Sequence, residues 1–131
     1  LRLHAYLRAM EAAVIDVCEA LGIVGERDES ATGVWIDPAA QGPGVRDPHG
    51  QPAKICAMGV RVRRWITLHG LALNVSTNLS HFAHIVPCGL AGRPVTSLRE
   101  LLGDAAPSVE AVKPAMVEAL TKRLAGSDLQ A

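Results

Sequence analysis

The sequence predicts an α/β domain of the α+β type, with helices packed on a mostly antiparallel sheet. Three observations carry that prediction. Apolar residues recur at helical spacing at both ends, over 1–21 and 108–125. Alternating patterns fill 33–37, 54–65 and 67–76, so the strands lie between two amphipathic helices. The 131 residues, 49% of them hydrophobic, suffice for one buried core. Only 3% are aromatic, so Leu, Val, Ile and Ala must build that core.

The first helix places Leu3, Leu7, Met10, Val14, Val17 and Leu21 on one face, with Arg2, Arg8, Glu11 and Glu19 mostly opposite. Gly22 is its expected stop. Cys18 sits beside the apolar stripe and reads as a core thiol. Gly33 to Asp37 forms a short strand. Residues 38–52 hold four prolines and three glycines, a density that no periodic element survives, so a long surface loop is expected there.

In the run 54–65, Lys54, Cys56, Met58, Val60 and Val62 share one face by period two, and Ile55, Ala57, Gly59, Arg61 and Arg63 the other. Lys54 therefore ends an otherwise apolar face, where a lysine either snorkels outward or is held in a low-dielectric site. Gly59, with Gly70 and Ala72 in the next strand, leaves room for a ligand against the backbone. Asn78 to His84 fits one helical turn. Ser97 and Glu100 have capping-box spacing, with Gly103 as the stop. Ser108 caps the last helix, whose expected inward residues are Val109, Val112, Met116, Leu120 and Leu124, with Pro114 as a kink.

Lys plus Arg balance Asp plus Glu at 13 each, so no field suited to non-specific nucleic-acid binding follows. Arg61, Arg63 and Arg64 form a local basic cluster, read as a solvated strand face or a contact for an acidic partner. Three cysteines without paired spacing argue against a disulfide framework and suit a reducing, cytoplasmic compartment. No run reaches the roughly 18 apolar residues a membrane helix requires. The chain begins with Leu inside a helical pattern and reads as a fragment.

Cys88 lies in a Pro-Cys-Gly turn, where a thiol can be exposed beside backbone N–H groups, as a nucleophile and its oxyanion site need. A Cys–His pair with His69 or His84, oriented by Asn74, is one way to activate it. A metal site is disfavoured, since His81 and His84 have no third ligand in pattern. Cys56 reads as a packing residue.

The segments KICAMGVRVRR (54–64) and HGLALN (69–74), Phe82 and the Pro87-Cys88-Gly89 turn, in this order, resemble the octanoyl-[acyl-carrier-protein]:protein octanoyltransferases of lipoate biosynthesis. Gly33-Val34-Trp35 and Thr96-Ser97-Leu98 add to the resemblance. It implies a sheet like that of the biotin and lipoate protein ligases, flanked by helices. It implies a partial acyltransferase catalytic domain over 1–131, lacking the upstream Arg-Gly-Gly and His-Gly-Pro-Gly-Gln motifs that complete the family's sheet and acyl tunnel. The implied reaction carries octanoyl from acyl carrier protein to a lysine of a lipoyl domain, in 2-oxoacid dehydrogenases or the glycine cleavage H protein, through a cysteine thioester. Cys88 matches that cysteine, and Lys54 the lysine that favours its thiolate and handles protons. Ala57, Met58 and Gly59, with Gly70, Leu71 and Ala72, match the stretches lining the acyl chain. No cofactor is implied, because a thioester arrives activated. Without the upstream motifs, apolar surface near Gly59 and Gly70 is expected to stand open. The alternatives are an ATP-dependent lipoate ligase relative, a non-catalytic module docking lipoyl domains or carrier protein, and a Cys–His hydrolase.

Overall fold

The computed structural model describes residues 2–84 and 92–125. Helix α1 (Leu3–Ala20) follows the apolar stripe. It ends at Gly22, φ +80, where the Gly22 and Ile23 N–H groups return to the Glu19 and Cys18 carbonyls at 2.9 Å each. That paired closure is open to glycine because its left-handed backbone costs no Cβ clash. Leu3 in the first turn is exposed, while Met10, Val14 and Val17 are buried.

Glu11 departs from the expectation of a polar outer face: it is completely buried. Its carboxylate accepts from Arg8 at 2.7 Å, from Arg27 at 3.1 Å and from the Gly33 N–H at 3.1 Å. A buried charge is tolerable only when paired and hydrogen-bonded, and two of these three donors are distant in sequence.

Four strands follow: β1 (Glu26–Asp28), β2 (Ala31–Ile36), β3 (Ala53–Arg63) and β4 (Ile66–Leu73). They form one antiparallel sheet in the order β1-β2-β3-β4. The short β1 gives no periodic signal. β3 and β4 are joined by Arg64 and Trp65 alone, both left-handed at φ 51 and 66. This is the two-residue turn whose twist suits a hairpin, here built without its usual Asn or Gly. β4 stops before Asn74, whose N–H binds the Ile55 carbonyl and whose own carbonyl accepts from Leu98. The 38–52 segment is tied down: Gln41 bonds both polar backbone groups of Val24, the Arg46 N–H bonds the Leu101 carbonyl, and His49 Nε2 lies 3.0 Å from Glu100.

Leu79–His84 forms a 3₁₀ turn. Helix α2 (Leu98–Leu102) has the expected cap, with the Glu100 N–H donating to Ser97 Oγ at 3.1 Å, and it ends at Gly103. Helix α3 (Val109–Ala125) starts on Ser108, whose Oγ accepts from Ala111 at 3.2 Å, and contains Pro114. Val112, Met116 and Ala119 form its buried row. Val109 is exposed, contrary to the expected stripe, because it stands in the unpacked first turn. α1 packs on α3 and β2, and Arg123 makes two 2.8 Å bonds to Asp16 across the helix pair. The guanidinium holds the Asp16 carboxyl below its ordinary value. The core between the helices and the sheet gathers Val14, Ile23, Val34, Ile55, Cys56 and Leu98. Each buried aliphatic side chain there contributes about 1.5–3 kcal/mol.

Candidate functional site

Lys54 stands near the start of β3 and is 5% exposed. Its backbone is held on both sides. Trp35 of β2 is its cross-strand partner. On the other side its N–H donates to Pro94 and its carbonyl accepts from Thr96, both at 2.9 Å, in a parallel bridge at Val95. The β2–β3 register shifts between Val34↔Cys56 and Trp35↔Lys54. Residues two apart on β3 are therefore opposed by neighbours on β2, which point to opposite faces. The strict alternation that put Lys54 on the face of Cys56 is interrupted by this irregularity.

The lysine side chain passes close to Gly33. A Cβ there would lie 3.3 Å from Lys54 Cε and 2.6 Å from the Cys56 carbonyl oxygen, and Gly33 has φ +123. Among the described residues the Lys54 amine has no carboxylate and no hydrogen-bond acceptor. Its neighbour is the Trp35 ring, with Nζ 5.0 Å from the centroid. The Arg93 guanidinium lies on the same ring at 3.6 Å, and Arg93 Nη2 donates to Asp28 Oδ2 at 2.6 Å. Asp28 also accepts from Ser30, and that bond, with the arginine, brings its carboxyl down to about 2. Trp35 is 3% exposed, and its indole N–H has no acceptor among the described residues.

Further along β3 the six residues expected to line an acyl chain come together. Ala57 pairs with Ala72, Met58 with Leu71 and Gly59 with Gly70. With Val60, Arg61 and His69 they line an open cleft of about 580 Å³. A Cβ added at Gly59 or Gly70 would meet no atom within 4 Å, so the space is vacant at both. Apolar surface is exposed near it, at Val62, Trp65, Ile66 and Leu68. A second recess of about 340 Å³ between α1 and α3 is lined by no cysteine, serine or histidine.

Cys18 and Cys56 are completely buried, and desolvation pushes both thiols up to about 12. They are neutral at physiological pH and unsuited to attack, as a packing role requires. Cys88, with Pro87 and Gly89, lies outside the described residues. Asn74, considered as an orienter of a histidine, donates its amide to the Thr96 carbonyl at 3.1 Å. His69 is exposed on β4 and lines the cleft, and His84 is exposed at the end of its 3₁₀ turn. Sequence reasoning missed the surroundings of Lys54. Trp35 was visible as part of a short strand and of the family resemblance, with no role of its own, and nothing in the sequence links Asp28 to Arg93, 65 residues on. No helix among the described residues is long and apolar enough to cross a membrane.

Comparison with known proteins places these features in a family. An octanoyltransferase of Christiangramia forsetii is 43% identical over 116 residues, 88% of this chain and 46% of the relative. One of Sphingopyxis alaskensis is 49% identical over 98 residues, 75% and 41% of the two chains. One of a Synechococcus strain is 46% identical over 123 residues, 92% and 43%. The chain thus spans less than half the length of these curated relatives. The family profile described as the lipoyl protein ligase A/B catalytic domain matches residues 1–121. That match takes in β3, β4 and the cleft between them, and the chain belongs to the lipoyl protein ligase A/B catalytic domain family.

Proposed function

We propose that this chain is the catalytic part of an octanoyltransferase, which moves an octanoyl group from acyl carrier protein to a lysine of a lipoyl domain through a thioester on Cys88. The observation that carries the reading is the Lys54 amine. The residue is 5% exposed, its amine has no acid partner among the described residues, and it stands on the strand that also lines the cleft. The similarity to octanoyltransferases supplies the substrate class.

In this mechanism the Cys88 thiolate attacks the donor's thioester carbonyl. The new C–S bond forms as the old one breaks, and the carrier's thiolate leaves with a proton from the Lys54 ammonium. The acceptor lysine amine then attacks the Cys88 thioester. An amide forms, Cys88 departs as thiolate, and neutral Lys54 takes the proton that the amine sheds. One amine thus closes the proton cycle over two half-reactions. The cleft from Ala57 to Gly59 and Gly70 to Ala72 holds the acyl chain against backbone. The acceptors of this reading are the lipoyl domains of 2-oxoacid dehydrogenases and the glycine cleavage H protein.

The test uses the full-length protein and octanoyl-carrier protein, with mass spectrometry of the acylated product. An octanoyl adduct on Cys88 that disappears in Cys88→Ala is the expected result. An adduct on Cys18 or Cys56 that survives Cys88→Ala would overturn the choice of nucleophile. Because the family includes ligases, the same assay is run with and without ATP. A requirement for ATP would favour the ligase reading.

A further inference from the structure

We propose that Trp35 is the positioning residue of the Lys54 amine, and that Asp28 and Arg93 hold the indole in place for that task. The inference rests on the reading of Lys54 as the group that moves the proton. A lysine side chain has four flexible carbons and a strongly hydrated head, so a catalytic amine must be held by something. Here no carboxylate and no acceptor holds it among the described residues. The close approach at Gly33 guides the Cδ and Cε carbons, and the Trp35 ring lies 5.0 Å from the amine.

The chemistry of that partner fits a group that gives up and regains a proton. A carboxylate would bind the ammonium tightly and resist its deprotonation. An aromatic face attracts the ammonium and also packs against the neutral amine, so it orients both forms. The indole N–H is buried without an acceptor among the described residues, a cost that phenylalanine would not carry. The ring is therefore not placed here for its hydrogen bond. What tryptophan offers over phenylalanine without that bond is a larger and more electron-rich face. Arg93 stacks on the same ring at 3.6 Å and is tied to Asp28 at 2.6 Å. A line of contacts thus runs from the β1–β2 turn through Arg93 and Trp35 to Lys54. Arg93 is also five residues downstream of Cys88 in the sequence.

The experiment measures the rate of thioester formation in the full-length protein at pH 7 and pH 9.5, for Trp35→Leu, Trp35→Phe, Lys54→Ala and the double variant Trp35→Leu/Lys54→Ala. Trp35→Leu is expected to lose about tenfold at pH 7 and less at pH 9.5. In the Lys54→Ala background the same change costs less than about twofold, because the amine it positioned is gone. Trp35→Phe keeps a ring and stays within about threefold of the parent. A loss of equal size in both backgrounds, a loss independent of pH, or a Trp35→Phe as slow as Trp35→Leu would each overturn the inference. If Trp35→Leu does not fold, Asp28→Asn on the surface turn decides. It should cost about two- to threefold at pH 7 in the parent and nothing in Lys54→Ala, and equal losses in both would overturn the inference. A Lys54→Ala protein as fast as the parent would remove the mechanism itself, whereas a slow Lys54→Ala with a fast Trp35→Leu removes only the role of Trp35.

Discussion

At its start β3 is held from both sides, by Trp35 of β2 and by residues 94–96, while from Val60 to Arg63 only β4 accompanies it among the described residues. Both ends carry cations without acid partners among the described residues, Lys54 at one and Arg61, Arg63 and Arg64 at the other. The arginines are exposed and keep their hydration. Lys54 is 5% exposed, and a charged side chain so enclosed is tolerated only where its surroundings suit it. The two ends thus differ in what it takes to retain the residue. A solvated arginine needs no further account, and a buried amine with an aromatic neighbour and no counterion does.

Exchanging cations at the two ends should give the largest contrast. Lys54→Ala is expected to slow thioester formation by about 100-fold at pH 7, with part of the loss recovered at high pH as thiolate forms unaided. Arg63→Ala should stay within about twofold with a small-molecule thioester donor. Single-turnover rates measure both, and equal losses would erase the distinction.

Glycines sharpen the comparison next. Gly33→Ala drives a Cβ into the Cys56 carbonyl on a left-handed backbone, and should destabilise the protein by about 2–3 kcal/mol in urea unfolding. Gly59→Leu meets open space and should cost under about 1 kcal/mol. Its side chain fills the acyl cleft instead. Octanoyl transfer should fall about tenfold, while transfer from a two-carbon donor is little changed, because each excluded methylene forfeits its burial. A Gly59→Leu enzyme that keeps its octanoyl rate would show that the chain lies elsewhere.

The smallest effect concerns the two buried thiols, Cys56 at the held end and Cys18 on α1. Burial raises Cys18 and Cys56 to about 12, against about 8.5 in an unfolded chain. The folded state favours the neutral form, so this contribution to stability is complete below about pH 8.5 and is lost as pH rises toward 12. Iodoacetamide at pH 8 should therefore spare both in the native protein and modify them once it unfolds. Native labelling of Cys56 at the rate of a free thiol would contradict its burial.

The parts legible in the sequence were those whose signal is local or periodic. α1, α3, β3 and β4 declared themselves by spacing, and Ser97, Glu100 and Gly103 by cap chemistry. The six cleft residues were named through the family resemblance, and the two-residue turn at Arg64 and Trp65 is what brings Gly59 to Gly70. What escaped depends on contacts between distant residues. Glu11 could be placed inside only by knowing that Arg27 and the Gly33 N–H come to it. The irregularity opposite Trp35 arises from the pairing of β2 with β3 and leaves no mark in β3 alone. Lys54 was found, while the ring that neighbours it was not assigned a part.

The turned backbone of β4 bears on how the protein behaves in crowded solution. Among the described residues β4 is the outermost strand of the sheet, and its middle residues His69 and Gly70 have φ 73 and 149, outside the extended range. A foreign strand adding to that side would find the row of donors and acceptors broken at the centre, with only Ile66–Leu68 and Leu71–Leu73 left on either side. Runs that short bind weakly. The small-residue stretch that opens the cleft therefore also interrupts the outer side of β4, and substitutions that straighten β4 should trade solubility for regularity.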